Sequence, residues 1–170
     1  YSYGGGVGIN LKKLRPAGAA VNNAAKETTG AVSFMDLFSL TTGLISQKGR
    51  RGALMISLPV THPDIEEFIR VKTNLDKVTF ANISAMITDD FMKTVKANGI
   101  WTMTFKVEST GEIITKTIPA KKLMRIIAES NWRMAEPGML FWDRVTGYHI
   151  NDQNPLVEYV TSNPCGEKPL

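Results

Sequence analysis

The chain has 170 residues, of which 43% are apolar and 21% are charged, and its formal net charge is +4 at pH 7. This length and apolar content predict one globular domain, or a large piece of one, with a buried core. The charge favours an anionic partner, and no apolar stretch approaches the roughly 20 residues that a membrane-spanning helix needs.

Cysteine content and the first residues bear on the cellular compartment. Cys165 is the only cysteine, so an internal disulfide is excluded. The opening YSYGGG lacks the basic and apolar regions of a secretory leader. We therefore expect a reducing, cytoplasmic compartment. Because the chain begins without methionine and with residues typical of a strand, we also expect it to be a fragment.

The first part of the chain alternates strand-like and helix-like segments. A short glycine-rich strand is predicted at 4–10 and a polar loop at 11–31. Apolar residues at helical spacing predict a mostly buried helix at 33–46. A basic glycine loop follows at 47–52, and the continuous apolar run at 53–60 predicts a buried strand.

The same alternation continues through the middle of the chain. Residues 62–72 predict a helix with Pro63 in its first turn. A buried strand is predicted at 79–87, and Thr88 is placed to cap a helix that ends before Gly99. Strands that alternate with helices in this way indicate parallel β/α units.

A hairpin and a helix are predicted next. Residues 101–107 and 113–118 alternate with period two around a glycine turn, which predicts a peripheral β-hairpin. Residues 119–132 predict an amphipathic helix opened by Pro119. The remaining residues lead to the C-terminal stretch TSNPCGEKPL without a further predicted element.

The glycine run near the start does not match a nucleotide-binding fingerprint. In G-x-G-x-x-G the third glycine would fall at Ile9, and no Walker loop is present. The bare backbone of Gly4, Gly5, Gly6 and Gly8 allows close approach of a ligand, or equally of another strand. The sequence leaves both interpretations open.

Basic residues mark a second candidate site. Lys48, Arg50 and Arg51 lie between a predicted helix end and a buried strand. In α/β folds such connections bind anions, although a solvated surface loop is the ordinary alternative. Arg15, which follows two lysines, either adds to this anion site or faces solvent. Metal binding is not indicated, because His62, His149 and the cysteine have no recognised ligand spacing.

The C-terminal stretch holds the most specific pattern, N-P-C-G-E. In an extended segment side chains alternate, so Asn163, Cys165 and Glu167 would project to one side. Pro164 stiffens the segment and Gly166 permits a sharp bend. An amide, a thiol and a carboxylate could then hold hydroxyl groups, take a proton and perform a difficult step. The ordinary alternative is a buried thiol that packs as a small apolar group.

These motifs together resemble the large catalytic subunit of ribonucleotide reductase, most like the adenosylcobalamin-dependent class. The resemblance is carried, in order, by GGGVGIN, LRPAG, TGAVSFMDLFSLTTGLISQKGRRGALMISL, HPDIEEFI and NPCGE. It covers essentially the whole chain and is weakest at 98–120. It implies an α/β fold: part of a ten-stranded barrel, comprising a parallel half-barrel without its opening strand, a finger loop and the peripheral hairpin.

The resemblance also implies roles for individual residues. Cys165 would carry the thiyl radical that abstracts the ribose 3′-hydrogen, Glu167 would be the base for the 3′-hydroxyl, and Asn163 would bind the sugar hydroxyls. Substrate contacts would come from Gly5, Gly6 and Arg50. Effector-binding residues would be Arg15, Gln47, Lys48 and Arg51. Many relatives have one more residue between the glutamine and the arginine pair, so the division of roles between the arginines stays open.

The resemblance implies partners that this chain does not supply. These are a ribonucleoside diphosphate or triphosphate, a deoxynucleoside triphosphate effector, adenosylcobalamin, a dithiol reductant such as thioredoxin, and a second copy of the longer protein. Two further cysteines and the cobalamin contacts are expected outside residues 1–170, so the fragment alone would be inactive. Two alternatives are kept: a reductase that uses a separate iron-containing radical subunit, and a non-catalytic nucleotide- or RNA-binding module.

Overall fold

The computed structural model describes residues 3, 5–21, 24–45, 52–148, 154, 156 and 158–170. The elements in chain order are β1 (Gly6–Asn10), α1 (Ser33–Leu44), β2 (Ala53–Pro59), α2 (Ile65–Arg70), β3 (Asn82–Ile87), α3 (Asp89–Lys96), β4 (Ile100–Lys106), β5 (Ile113–Pro119), α4 (Ala120–Met134), β6 (Gly138–Phe141) and α5 (Trp142–Gly147). Among these helices, none combines the length and apolar character needed to cross a membrane.

The main sheet has four parallel strands in the order β1, β2, β3, β6. Helices connect the successive strands, so the predicted parallel β/α units are confirmed. Strands β4 and β5 form a separate antiparallel pair, which confirms the hairpin. Within the described ranges the parallel sheet is open, and no closed barrel is formed.

The register of the sheet gives it two different faces. Ile9 lies opposite Ile56, and Ile56 lies opposite Ile83. This face belongs to the hydrophobic core, where it packs against Met35 of α1, Phe68 of α2, Phe91 of α3 and Leu123 of α4. On the other face, Gly8 lies opposite Met55, which lies opposite Asn82. Likewise Asn10 lies opposite Ser57, which lies opposite Ser84.

Helix α1 is confirmed, but the expectation that it is mostly buried is wrong. Phe34, Leu37, Leu40 and Leu44 are between 40% and 74% exposed. Their spacing places them on one face of the helix. The buried face is formed by Met35, Ser39 and Thr42. Helix α1 therefore presents an apolar stripe outward.

The hairpin is fastened to the edge of the α/β layer. Trp101 donates its indole N–H to the carbonyl of Val60 at 2.9 Å, and the backbone N–H of Thr104 bonds the carbonyl of Thr61 at 3.0 Å. The rings of Trp101 and Phe91 meet edge to face, with centroids 5.2 Å apart. The hairpin turn contains Gly111 with φ of +74°, as a glycine turn requires.

Helix ends were predicted well where a cap was visible in the sequence. The side chain of Thr88 accepts the N–H of Phe91 at 3.1 Å and begins α3, as predicted. Pro119 directly precedes α4, also as predicted. The left-handed residue after α3 is Asn98, with φ of +55°, rather than Gly99.

Three differences from the predicted elements have local causes. Helix α2 begins at Ile65 instead of 62, because the side chains of His62 and Asp64 bond loop residues before it. Strand β3 begins at Asn82 instead of 79, because the N–H of Phe80 bonds the hydroxyl of Ser39 at 2.9 Å. The short β6 and α5 were not predicted, since neither is long enough to show a period.

Candidate active site

The C-terminal residues 160–170, which we call the thiol loop, fold back on themselves. Ser162 and Pro169 form an antiparallel bridge. The N–H of Asn163 bonds the carbonyl of Lys168 at 2.9 Å, and the N–H of Leu170 bonds the carbonyl of Thr161 at 2.9 Å. The two ends of the loop are thereby joined, with Cys165 near its tip.

Residues 163–166 form a turn at the tip of this loop. The N–H of Gly166 bonds the carbonyl of Asn163 at 3.0 Å, and Gly166 has φ of +84°. The prediction of an extended segment with alternating side chains is therefore wrong. The sequence carried the signal, because asparagine first, proline second and glycine fourth is the pattern of a common β-turn.

The turn nevertheless brings two of the three predicted side chains together. Asn163 donates from Nδ2 to Oε1 of Glu167 at 2.6 Å. The carboxamide is fixed from its other side, because Oδ1 of Asn163 accepts the N–H of Lys168 at 2.9 Å. A hydrogen bond from an amide to a carboxylate is among the stronger kinds in proteins. The loop thus holds an oriented amide and carboxylate on either side of Cys165 in sequence.

Cys165 is exposed. The alternative of a buried thiol that packs as an apolar side chain is therefore wrong for this structure. A thiol in the third position of a tight turn projects from the loop and is not enclosed by it. Within the described residues, Cys165 is open to a partner molecule or to another part of a longer protein.

The glycines of β1 provide the surface on which the thiol loop rests. A Cβ atom at Gly6 would lie 2.4 Å from Cγ of Pro164, and one at Gly8 would lie 2.2 Å from the carbonyl oxygen of Ser162. Both distances are too short for any side chain. A Cβ at Gly5 would meet no atom within 4 Å. Of the two interpretations of the glycine run, close packing against another segment is therefore confirmed at Gly6 and Gly8.

Polar side chains from three strands hold the thiol loop on this face of the sheet. Asn10 of β1 donates to the carbonyl of Val160 at 2.6 Å. The hydroxyl of Ser57 in β2 lies 3.0 Å from that of Thr161. Asn82 of β3 donates to the carbonyl of Pro164 at 2.9 Å. Sequence reasoning missed all three, although a polar residue inside an apolar strand is a visible signal of such a role.

Arg15 lies apart from the thiol loop, against the hairpin. It donates to the carbonyl of Ala20 at 3.1 Å and to the hydroxyl of Ser109 at 3.0 Å. It also borders a cavity of about 390 Å³ lined by Lys12, Lys13, Arg15, Thr104, Phe105, Lys106 and Glu108. Four basic side chains outnumber the one carboxylate of Glu108, so the cavity is electropositive and suited to an anion, although Lys12 also pairs with Glu158 at 2.9 Å.

His62 and Asp64 anchor the loop that carries Arg15. Nε2 of His62 donates to the carbonyl of Leu14 at 2.9 Å, because Nδ1 accepts the N–H of Asp64 at 3.1 Å. The buried carboxylate of Asp64 accepts the N–H of Ala17 at 3.1 Å and that of Ala31 at 3.0 Å. Burial lowers the pKa of His62, against the opposing influence of the bond to Leu14 and the charge of Asp64.

The other predicted site residues are Gln47, Lys48, Arg50 and Arg51, which lie outside the described residues. His149 lies outside them as well. In the described ranges, no group of three or more histidine, cysteine, aspartate or glutamate side chains is placed to bind a metal ion.

Four cavities formed by described residues bear on the cobalamin that the resemblance implies. Their volumes are about 560, 390, 410 and 220 Å³, and Cys165 lines none of the four. The cavity of about 560 Å³ lies between α2, β5 and α4, where Glu66, Glu67, Arg70 and Lys122 give it a charged lining. These four cavities therefore do not fit a cobalamin beside the thiol.

Comparison with known proteins identifies relatives of the chain. The sequence model of one family, described as "Ribonucleotide reductase, barrel domain", matches residues 1–170. The vitamin B12-dependent ribonucleoside-diphosphate reductase of Thermoplasma acidophilum is 38% identical, over 98% of this chain and 21% of that protein. The protein of the same name in Mycobacterium tuberculosis is 36% identical, over 98% of this chain and 24% of that protein.

A third relative, the vitamin B12-dependent ribonucleotide reductase of Streptomyces coelicolor, is 32% identical over 96% of this chain and 19% of that protein. The chain therefore spans between 19% and 24% of the length of these three relatives.

Proposed function

The chain belongs to the ribonucleotide reductase family, and on this premise we propose that residues 1–170 form part of the catalytic barrel of a longer enzyme that reduces ribonucleotides to deoxyribonucleotides. One observation carries the proposal. An exposed thiol lies on a loop whose amide and carboxylate are joined at 2.6 Å, and this loop rests on a glycine strand with no room for side chains. Such an arrangement suits chemistry on a polyhydroxylated ligand.

The proposed reaction begins at Cys165. Its sulfur radical takes the hydrogen atom from C3′ of the ribose, so that an S–H bond forms, a C–H bond breaks and the unpaired electron moves to C3′. The carboxylate of Glu167 accepts the proton of the 3′-hydroxyl. The amide of Asn163 orients Glu167 and the sugar hydroxyls, a role supported by its bonds to Glu167 and Lys168. The alignment of these groups before reaction lowers the barrier.

The rest of the reaction needs parts that this chain does not contain. Replacement of the 2′-hydroxyl by hydrogen, with release of water, requires two electrons and two protons, which we assign to a pair of cysteines elsewhere in the longer protein that becomes a disulfide. Cys165 then returns its hydrogen atom to C3′ and is again a thiyl radical. A dithiol such as thioredoxin then restores that pair. Adenosylcobalamin, suggested by the names of the relatives, would supply the initial radical and would be held by other segments.

We assign nucleotide recognition to both sides of α1. Gly5, which directly precedes β1, and Arg50 would contact the ribonucleoside diphosphate, whereas the ring of Pro164 occupies the space at Gly6. Arg15, Gln47, Lys48 and Arg51 would bind a deoxynucleoside triphosphate effector that selects the substrate base. The electropositive cavity beside Arg15 supports an anionic ligand there.

We also propose that the longer protein pairs with a second copy of itself through α1. The outward apolar stripe on this helix supports a contact with another apolar surface. In sequence, the helix lies between Arg15 and residues 47–51, the two parts of the chain assigned to the effector. Sedimentation of the longer protein with and without the effector would test this pairing.

The first prediction tests the proposed reaction with Cys165→Ser in the full-length protein. We expect cobalamin-dependent formation of deoxynucleotide to fall to background, because an alcohol O–H bond is too strong to replace the thiol as the radical carrier. Nucleotide affinity should stay within about two-fold, since only the reacting atom changes. Product is measured chromatographically with a ribonucleoside diphosphate and a dithiol present.

Two other results would redirect or end this proposal. Product that needs an iron-containing partner subunit instead of cobalamin would identify the other radical-generating class. If the unmodified protein makes no product from diphosphate or triphosphate under either condition, the reductase function is wrong. Nucleotide or RNA binding would then be the function to test.

A further inference from the structure

Of the three strand side chains that hold the thiol loop, Asn82 bonds the residue that is closest in sequence to Cys165. Of the three side chains that hold the thiol loop, Asn10 and Ser57 bond Val160 and Thr161, whereas Asn82 bonds the carbonyl of Pro164, the residue directly before Cys165. We infer that Asn82 is a positioning residue for Cys165, an inference that rests on the function proposed above. It acts through the backbone and does not touch the reacting atoms.

Because the peptide bond is planar, the contact at the Pro164 carbonyl also affects Cys165. The carbonyl oxygen of Pro164 and the Cα of Cys165 belong to the same rigid peptide plane. A donor that fixes the oxygen therefore fixes the N–Cα bond of Cys165, and the turn bond from Gly166 to Asn163 restrains rotation about it. The hydrogen bond of 2.9 Å from Asn82 is directed at that oxygen.

A second contact fixes the same residue from β1. The ring of Pro164 lies where a side chain of Gly6 would be, at 2.4 Å from an ideal Cβ. Pro164 is buried, and a buried carbonyl that lacks a donor is costly. Gly6 provides space for the ring and Asn82 satisfies the carbonyl. The two strands together leave the peptide before Cys165 little freedom to rotate.

The place of Asn82 in the sheet also suits this role. It begins β3, where it lies opposite Met55 of β2, and β6 joins the other side of β3 from Ser84 onward. Asparagine is depleted in strands, and the residues that follow it in β3 are buried. A side chain on a rigid strand places a group more accurately than one on a loop.

The second prediction compares Asn82→Leu and Asn82→Asp in the full-length protein. Both changes remove the donor at similar volume, and the aspartate adds repulsion between its carboxylate and the carbonyl oxygen. We expect kcat to fall by about ten-fold to a hundred-fold, with the aspartate variant the slower, because small misplacement of a reacting group costs this much. KM for the nucleotide should change by less than about two-fold, since binding groups are untouched.

Asn131→Leu is the matched control. Asn131 of α4 also donates its amide to a proline carbonyl, that of Pro137 at 3.1 Å, but does so away from the thiol loop. We expect this variant to keep kcat. Hydrogen exchange of the full-length proteins adds a readout independent of turnover: the amides of Asn163 and Gly166 should lose protection in the Asn82 variants and keep it in the Asn131 variant.

The outcomes separate this inference from the proposed function. The unmodified protein could be active and lose its activity in Cys165→Ser, while both Asn82 variants keep the same kcat. This result would overturn the positioning role alone. A rise in KM equal to the fall in kcat/KM would also overturn it, because that pattern marks lost nucleotide binding. If the unmodified protein is inactive in every condition, the proposed function is wrong. In that case, unchanged protection of the Asn163 and Gly166 amides in the Asn82 variants would overturn the structural basis of the inference as well.

Discussion

Gly8 shows at the scale of a single residue how β1 serves the thiol loop. The atom that a side chain would strike is the backbone carbonyl oxygen of Ser162, at 2.2 Å. A backbone atom that is itself part of a bridged loop cannot move as a flexible side chain can. The thiol loop can therefore lie on this strand only while position 8 has no side chain.

The third prediction concerns Gly8→Ala. We expect the added methyl group to lift the thiol loop and to lower the free energy of unfolding by about 1–3 kcal/mol, the usual cost of overpacking. Deoxynucleotide formation by the full-length protein should fall as well. Thermal unfolding and product formation are measured together.

Gly147→Ala serves as the control for this substitution. Gly147 ends α5, and a Cβ there meets no atom within 4 Å. The melting temperature of the Gly147→Ala variant should stay unchanged or rise slightly, because alanine has a higher helix propensity than glycine. Equal melting temperatures for the Gly8 variant and the unmodified protein would show that the loop does not pack on β1 as described.

Individual residues also show what sequence reasoning could and could not reach. Asn163 and Glu167 do meet, but the extended geometry that was expected to bring them together is wrong. The turn was readable from N-P-C-G, since each residue suits its position. Asn10, Ser57 and Asn82 could be suspected as polar residues in strands, but their partner lies far along the chain.

The capped helix α3 illustrates the scale of one element. Thr88 accepts the N–H of Phe91, which would otherwise lack a partner within the helix. Asp89 and Asp90 occupy the first turn, where their charge is stabilised by the helix dipole. Both features were visible in the sequence, because caps depend on neighbouring residues only.

The fourth prediction is a loss of stability in Thr88→Ala. Removal of the cap should lower the free energy of unfolding by about 1 kcal/mol. Thr88→Ser should keep most of the stabilisation that the cap provides, because serine also caps helices. Urea unfolding measures the change. Thr94→Ala is the control within the same helix, because the hydroxyl of Thr94 only bonds back to the carbonyl of Asp90. A control that loses as much stability as Thr88→Ala would contradict the capping role.

Elements whose limits depend on distant residues were predicted less well. Helix α2 is shortened because Asp64 turns its carboxylate to Ala17 and Ala31 instead of extending the helix. Strand β6 exists because it pairs with β3, and its four residues carry no period of their own. Apolar spacing predicts a helix but does not tell what covers its apolar face. For this reason the sequence predicts a buried face on α1 where the structure has an exposed apolar stripe.

His62 and Asp64 join separate parts of the whole molecule. Together they bond Leu14, Ala17 and Ala31, which fixes the start and the end of the polar loop. The ring of His62 also packs edge to face on Phe105 of the hairpin, at 5.5 Å between centroids. The loop, α2 and the hairpin are thus connected through two buried side chains.

The fifth prediction is a pH dependence of stability that arises from His62. Its pKa in the folded protein is lowered by burial, below the value of about 6.5 expected when unfolded. The unfolded chain therefore binds this proton more readily, so the free energy of unfolding should decrease as pH falls below about 6.5 and level off below the folded pKa. Urea unfolding between pH 7.5 and pH 5 measures the slope.

The pH experiment is made in a His149→Gln background, so that His62 is the only histidine left within residues 1–170. His62→Gln in that background keeps a donor for the carbonyl of Leu14 but cannot titrate, and it should show a shallower slope. If both proteins show the same slope, carboxylates and not His62 control the dependence.

The docking of the thiol loop has a consequence for the order in which the molecule assembles. Asn10 and Val160 lie 150 residues apart in sequence, yet one hydrogen bond joins them. Closing so long a stretch of chain costs conformational entropy before the contacts that stabilise the closed chain have formed. The platform for the loop consists of three strands that must already be paired. A chain that has not completed its sheet therefore carries its thiol on an unorganised tail, and the turn that holds Cys165 takes its docked position only as one of the last steps of folding.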